Sequence, residues 1–152
     1  MHIIHLLYVY NADDAAFRVP NIGFVAALAE ALAADRAEVF SLAARLLSSL
    51  ARIPENVEFL SSIEAKLLPC IFELIISGSI SREQLYQAVS ILHPLSHHPL
   101  CAEYAASSAD FIPALLISAA APAVDLEVIS LLLTAVLNIL VNTDSDVAMS
   151  LV

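Results

Sequence analysis

Leu46-Leu47-Ser48-Ser49-Leu50-Ala51, Ile91-Leu92-His93-Pro94-Leu95-Ser96 and Val136-Leu137-Asn138-Ile139-Leu140-Val141 are three versions of one segment, set 45 residues apart. Each ends a long apolar run, and each is followed by a break: Pro54, Pro99 and Asn142-Thr143-Asp144. A second block recurs in step with the first. Ser62-Ile63-Glu64-Ala65-Lys66-Leu67-Leu68-Pro69-Cys70-Ile71 pairs with Ser107-Ser108-Ala109-Asp110-Phe111-Ile112-Pro113-Ala114-Leu115, with 44 residues from Pro69 to Pro113. Asn21 to Leu32 aligns with the block from Glu64 at a spacing near 43, which puts Ile4 and Leu7 where Leu47 and Leu50 stand. A period of roughly 40–47 residues with two or three helices per unit belongs to stacked helical repeats.

Composition agrees with an all-helical chain. Of 152 residues, 60% are hydrophobic and 14% charged, against roughly 45–50% and 25% in ordinary globular domains. Only two glycines occur, so tight β-hairpins, which need positive φ, are disfavoured. Ala and Leu favour helix. The spacing predicts long third helices over about 36–52, 82–97 and 125–141, with a truncated one over 2–9. Short first helices are expected over about 13–18, 55–61, 100–106 and from 145 onward. Second helices are expected over about 21–33, 64–76 and 109–120. In the 36–52 segment Val39, Leu42, Ala43, Leu46, Leu47 and Leu50 fall at i, i+3, i+4 spacing, the mark of a helix with one buried face. Asp35, Ser81 and Asp125 are the expected N-caps. Pro69 and Pro113 belong in first turns, where a missing N–H costs little. Gly78 is an expected helix stop, and Pro94 is expected to end or kink the 82–97 helix early. The domain reading is a single domain over 1–152, with partial units at 1–35 and 125–152 around complete units at 36–80 and 81–124.

Ala44-Arg45-Leu46-Leu47-Ser48-Ser49-Leu50-Ala51, then Pro54-Glu55-Asn56, then Ile63 through Ile75 resembles the unit of the armadillo-repeat family, with HEAT repeats as the near alternative. The resemblance implies an all-α, right-handed α-α superhelix and a groove lined by third helices that binds protein partners. Two departures stand out. The family's glycine before the second helix survives as Gly23, while Lys66 and Asp110 take its place in the later units. The groove asparagine of the family is replaced by Ser49, Pro94 and Ile139, and no tryptophan is present.

The formal net charge is −10, and all six basic residues lie within the first 82 positions. No basic patch exists to follow phosphates, so nucleic acid is not an expected partner. An acidic surface steers a basic protein or peptide toward the chain. Cys70 and Cys101 sit in apolar pattern and read as buried, reduced thiols of a cytoplasmic or nuclear protein. Met1-His2-Ile3-Ile4-His5 lacks the basic start of a signal peptide. The apolar run Val128 to Val141 is 14 residues long, short of the ~20 needed to cross a bilayer.

Candidate functional residues are the polar positions of the third helices. His5, Ser48, His93 and Asn138 hold one equivalent position in four successive units. Arg45 and Ser90 form a second column that ends at Ala135, and Arg52 and His97 a third. Such a ladder can hydrogen-bond the backbone of an extended peptide; the plain alternative is a solvated helix face. His93, His97, His98 and Cys101 invite a zinc reading, but Pro94 and Pro99 interrupt the helix and no second ligand cluster exists, so neither a metal nor a cofactor is expected. Asp13-Asp14 and Asp144-Asp146 read as loop solvation or caps. No phosphate-binding glycine loop and no nucleophile elbow occurs, so no enzyme is expected. The function expected is that of a protein-interaction scaffold. The alternatives are a structural piece of a larger solenoid or a self-associating chain, since Met1 to Tyr8 and Ala148 to Val152 lack the polar faces of terminal repeats, and a membrane-associated helical protein.

Overall fold

Ser81 shows how the local sequence sets a helix start. Its side chain accepts the Gln84 N–H at 3.2 Å, and the Gln84 side chain accepts the Ser81 N–H at 2.9 Å. This capping box satisfies two N–H groups that a helix start would leave bare. The helix it opens runs Arg82–Leu95. In the computed structural model, which describes residues 22–34, 36–62, 65–121 and 124–143, eight helices follow one another. They are α1 (Ile22–Ala33), α2 (Ala37–Ala51), α3 (Pro54–Ser61), α4 (Leu67–Ser77), α5 (Arg82–Leu95), α6 (Pro99–Ser107), α7 (Phe111–Ala120) and α8 (Leu126–Val141). No strand occurs among the described residues. The helices expected at 2–9, 13–18 and beyond 145 fall outside them.

The expected boundaries hold to within three residues, and each shift has a local cause. α4 starts at Leu67 rather than near 64 because Lys66 takes a left-handed backbone, φ 59° and ψ 12°, which cannot continue a helix backwards. α5 stops at Leu95, two residues short of 97. Pro94 lies in its last turn and removes one ladder N–H, and Ser96 then closes the end by bonding back to Leu92 O and His93 O. Gly78 ends α4 at φ 62°, a left-handed stop. Pro69 and Pro113 stand in the first turns of α4 and α7. Two cap expectations need correction. The residue at the N-cap of α2 is Arg36, which gives no side-chain cap, and Asp35 lies outside the described residues. Asp125 occupies the N-cap of α8 but makes no side-chain cap bond.

Packing follows the period. α2 lies against α5, and α5 against α8. α1 lies against α4, α4 against α7, and α3 against α6. Equivalent helices of successive units are therefore neighbours. Burial repeats with them: Ala43 and Ala88, Leu46 and Ile91, Leu47 and Leu92 are pairs 45 residues apart, and all six are closed to solvent. The buried apolar residues form one continuous cluster from Val25 to Ile139. Each buried leucine in it contributes about 2 kcal/mol. Where first and second helices meet across a unit boundary, three rings interlock. Phe72 of α4 lies 4.8 Å from Phe111 of α7, and Tyr104 of α6 stands edge-on to both, at 6.1 and 5.8 Å. Such pairs add about 1 kcal/mol beyond their buried area.

Candidate functional site

α2 and α5 end at a shared junction, and three of the candidate polar residues, Arg52, His93 and His97, gather there. Arg52 follows the last turn of α2, His93 lies in the last turn of α5, and His97 follows α5 in the turn toward α6. Together with Ala51, Pro54, Val57 and Pro94 they line an open cleft of about 490 Å³ between α2, α3 and α5. Its lining is mostly apolar, with the Arg52 guanidinium and the imidazoles of His93, His97 and His98 as its charged or titratable groups. Arg52 is exposed and His93 half-buried. The His93 and His97 rings stand 5.6 Å apart at 87°. Burial holds the His93 pKa below its ordinary value, and the neighbouring His97 adds to the shift. A neutral His93 offers one donor and one acceptor nitrogen, while the Arg52 guanidinium offers a planar set of donors for carbonyls or carboxylates.

One unit further on, the same place is closed. Asn138 of α8 reaches over the end of α5, donating to Ser96 Oγ at 3.0 Å and to His97 Nε2 at 3.2 Å. Asn142 donates to the His97 carbonyl at 3.3 Å. Ser96, wholly buried, uses its own proton on His93 O at 2.6 Å. Asn138 therefore ties two units together and is not a free rung of a ladder. Ser90 is also occupied, donating to Tyr86 O at 2.7 Å on its own helix. Arg45 is exposed and Ser48 half-buried, both on α2, and Ala135, which ends the Arg45–Ser90 column, is buried. His5 lies outside the described residues, as do Asp13, Asp14, Asp144 and Asp146. The structure thus brings Arg52, His93 and His97 to one opening and divides the remaining positions between exposed helix surface and inter-unit hydrogen bonds.

Residue spacing alone missed Pro54, Val57 and His98 as cleft residues. Pro54 and Val57 belong to α3, which follows α2, and His98 to the turn between α5 and α6; their meeting at one opening is a tertiary fact. His98 has a structural duty as well: its Nδ1 accepts the Leu100 N–H at 3.2 Å and caps α6. Among the described residues no group of three or more His, Cys, Asp or Glu is placed to hold a metal ion.

The cysteines differ from one another, which corrects the expectation that both are buried. Cys101 is closed to solvent, and burial pushes its thiol up to about 12. Cys70 is half-buried, with its Sγ 3.1 Å from Ala29 O of α1; burial, with the Glu73 carboxylate adding to it, raises its thiol to about 11. A second concavity of about 420 Å³ opens between α3, α4 and α6, lined by Leu68, Pro69, Leu100 and Tyr104 among others. Ser61 borders it with a buried hydroxyl that has no hydrogen-bond partner.

Among the described residues no single helix is long and apolar enough to cross a membrane; α6 and α7 pass by length and composition only as a pair bent by 96°. Comparison with protein-family models, curated proteins and solved structures found no match to this chain.

Proposed function

We propose that the chain is a non-enzymatic protein-interaction scaffold: a right-handed, armadillo-like α-solenoid that takes a partner peptide along its third helices. The observation that carries the reading is the cleft at the ends of α2 and α5, where the apolar side chains of Ala51, Pro54 and Val57 share a lining with the polar groups of Arg52, His93 and His97. The neighbour contacts between equivalent helices, together with the residue period, favour the solenoid over a closed bundle. Apolar side chains of an extended peptide would pack on Ala51, Pro54 and Val57 while its backbone carbonyls met Arg52 and the histidines. The net charge of −10 would speed the approach of basic peptides. Arg45 and Ser48 extend the surface along α2; Asn138 belongs to it only as the residue that holds the next unit in place.

Panning a random peptide library against the intact chain tests this reading. Selected peptides should share a short apolar-plus-polar pattern and lose most of their affinity for Arg52→Ala and His93→Ala, with helicity unchanged. Retained affinity in both variants would place the binding surface elsewhere.

A further inference from the structure

We propose that the cleft between α2, α3 and α5 selects one acidic side chain of the bound peptide, a glutamate or aspartate set among apolar residues. This rests on the peptide-scaffold reading and names what that cleft recognises. Hydrogen bonds already made there fix the polarity of the groups left over. His98 Nδ1 accepts the Leu100 N–H, so Nε2 carries the ring proton and donates. His97 Nε2 accepts from Asn138, which leaves the ring proton on Nδ1. The Arg52 guanidinium has donors and no acceptor. Three of the four polar side chains in the lining thus present N–H groups, and among the described residues no carboxylate lines the cleft. A group that meets them must accept.

The next unit shows the same junction filled from within. Arg52 and His93 stand 45 residues before His97 and Asn138. In the later junction the two side chains bond to each other at 3.2 Å, and Asn138 also donates to Ser96 Oγ at 3.0 Å. In the earlier one Ala51 holds the place of Ser96, and among the described residues no hydrogen bond joins His93 to Arg52. The cleft of about 490 Å³ lies there instead. A carboxylate from outside would bridge these side chains as the Asn138 amide bridges the later pair, while its apolar neighbours pack on Ala51, Pro54, Val57 and Pro94.

Charge agrees with that acceptor. Arg52 is one fixed cation and matches the single charge of a carboxylate, whereas a phosphate monoester carries nearly two. The net charge of −10 does not oppose this, since exposed charges more than about 8 Å away are screened at physiological salt. The carboxylates of the helices packed on α5 lie elsewhere. Glu55 and Glu58 of α3 are outside the lining. Glu73 of α4 acts on Cys70 and Tyr104. Glu83 sits beside Arg82 at the opposite end of α5, and Glu127 of α8 accepts from Tyr86 near that end. On α2, Glu38 is in the first turn, and Arg45 lies about two turns before Arg52. Burial and the His97 ring hold His93 below its ordinary pKa, so it is mostly neutral at neutral pH. A carboxylate beside it favours the imidazolium. Binding then takes up a proton and tightens as pH falls.

Two acetylated and amidated peptide libraries of Ala, Leu and Ser, one with glutamate fixed at the centre and one with glutamine, test this on the intact chain. The glutamate set should bind about tenfold more tightly at pH 7.5, as a charge-assisted contact implies, and the ratio should widen at pH 5.5. Arg52→Ala should abolish the preference with circular dichroism unchanged. His93→Gln should keep a preference at pH 7.5 and lose its growth at pH 5.5. Calorimetry in two buffers of different ionisation enthalpy should record proton uptake with the parent chain and less with His93→Gln. Equal affinity for the two sets, still lost in Arg52→Ala, would overturn the acidic selection and leave the peptide scaffold standing. Binding of neither set in an Arg52-dependent way would overturn both readings. A set with central phosphoserine, or one with a free terminal carboxylate and central glutamine, would overturn the choice of an acidic side chain if it bound more tightly than the glutamate set.

Discussion

Lys66 stands at the position where the armadillo pattern has glycine, and its backbone is left-handed, φ 59°. A side chain in that state costs about 1 kcal/mol relative to glycine. Lys66→Gly should therefore stabilise the chain by up to about 1 kcal/mol, visible as a raised midpoint in urea. Asp110, the equivalent residue one unit later, has an ordinary backbone at φ −88°, so Asp110→Gly should bring no gain. Gly78 is the converse case. Nothing lies within 4 Å of an added Cβ, yet φ is +62°, so Gly78→Ala should lose about 1 kcal/mol through backbone strain alone. The cysteines make a second prediction. Thiols raised above their ordinary 9.0 stay protonated in the fold, so both should resist a disulfide reagent at neutral pH until the chain unfolds. A raised acid pKa favours the protonated fold. Its contribution is whole below pH 9 and is lost as pH rises toward about 12, which alkaline denaturation of Cys101→Ala against the parent would register.

At the scale of elements, α5 is the helix with most resting on it, since both neighbouring third helices lie against it. Its start depends on Ser81, and Ser81→Ala should cost about 1 kcal/mol. Its buried face is less forgiving: Leu92→Ala should cost roughly 2–5 kcal/mol, by lost transfer energy plus a cavity. Its end carries the junction with α8. A histidine whose pKa is lowered in the fold stabilises the fold only while neutral, so the His93 contribution is present above its unfolded value and fades as pH falls below it. Thermal melting between pH 7.5 and 5.5 should show a fall that is smaller in His93→Gln. The Asn138 bonds to Ser96 and His97 act at the same place, and Asn138→Ala should lower stability and release the His97 ring that lines the cleft.

Across the whole molecule, the sequence by itself determined the helical class, the period and the approximate helix limits. Those follow from side-chain periodicity, proline placement and capping chemistry, all local in the chain. Ser81, Gly78, Pro69 and Pro113 were legible for that reason. The candidate site was legible only in part. Arg52, His93 and His97 could be singled out as polar positions in apolar helices, and they do meet at one opening. Tertiary structure alone decided that Asn138 spends its amide on Ser96 and His97, that Pro54 and Val57 line the cleft, and that Lys66 adopts a glycine-like backbone. It also decided that leucines of identical pattern are closed on α2 and α5 and bare on α8. Periodicity specifies which face of a helix is apolar; what lies against that face depends on the helix that arrives there, and its position is fixed by packing across units rather than by neighbours in the chain.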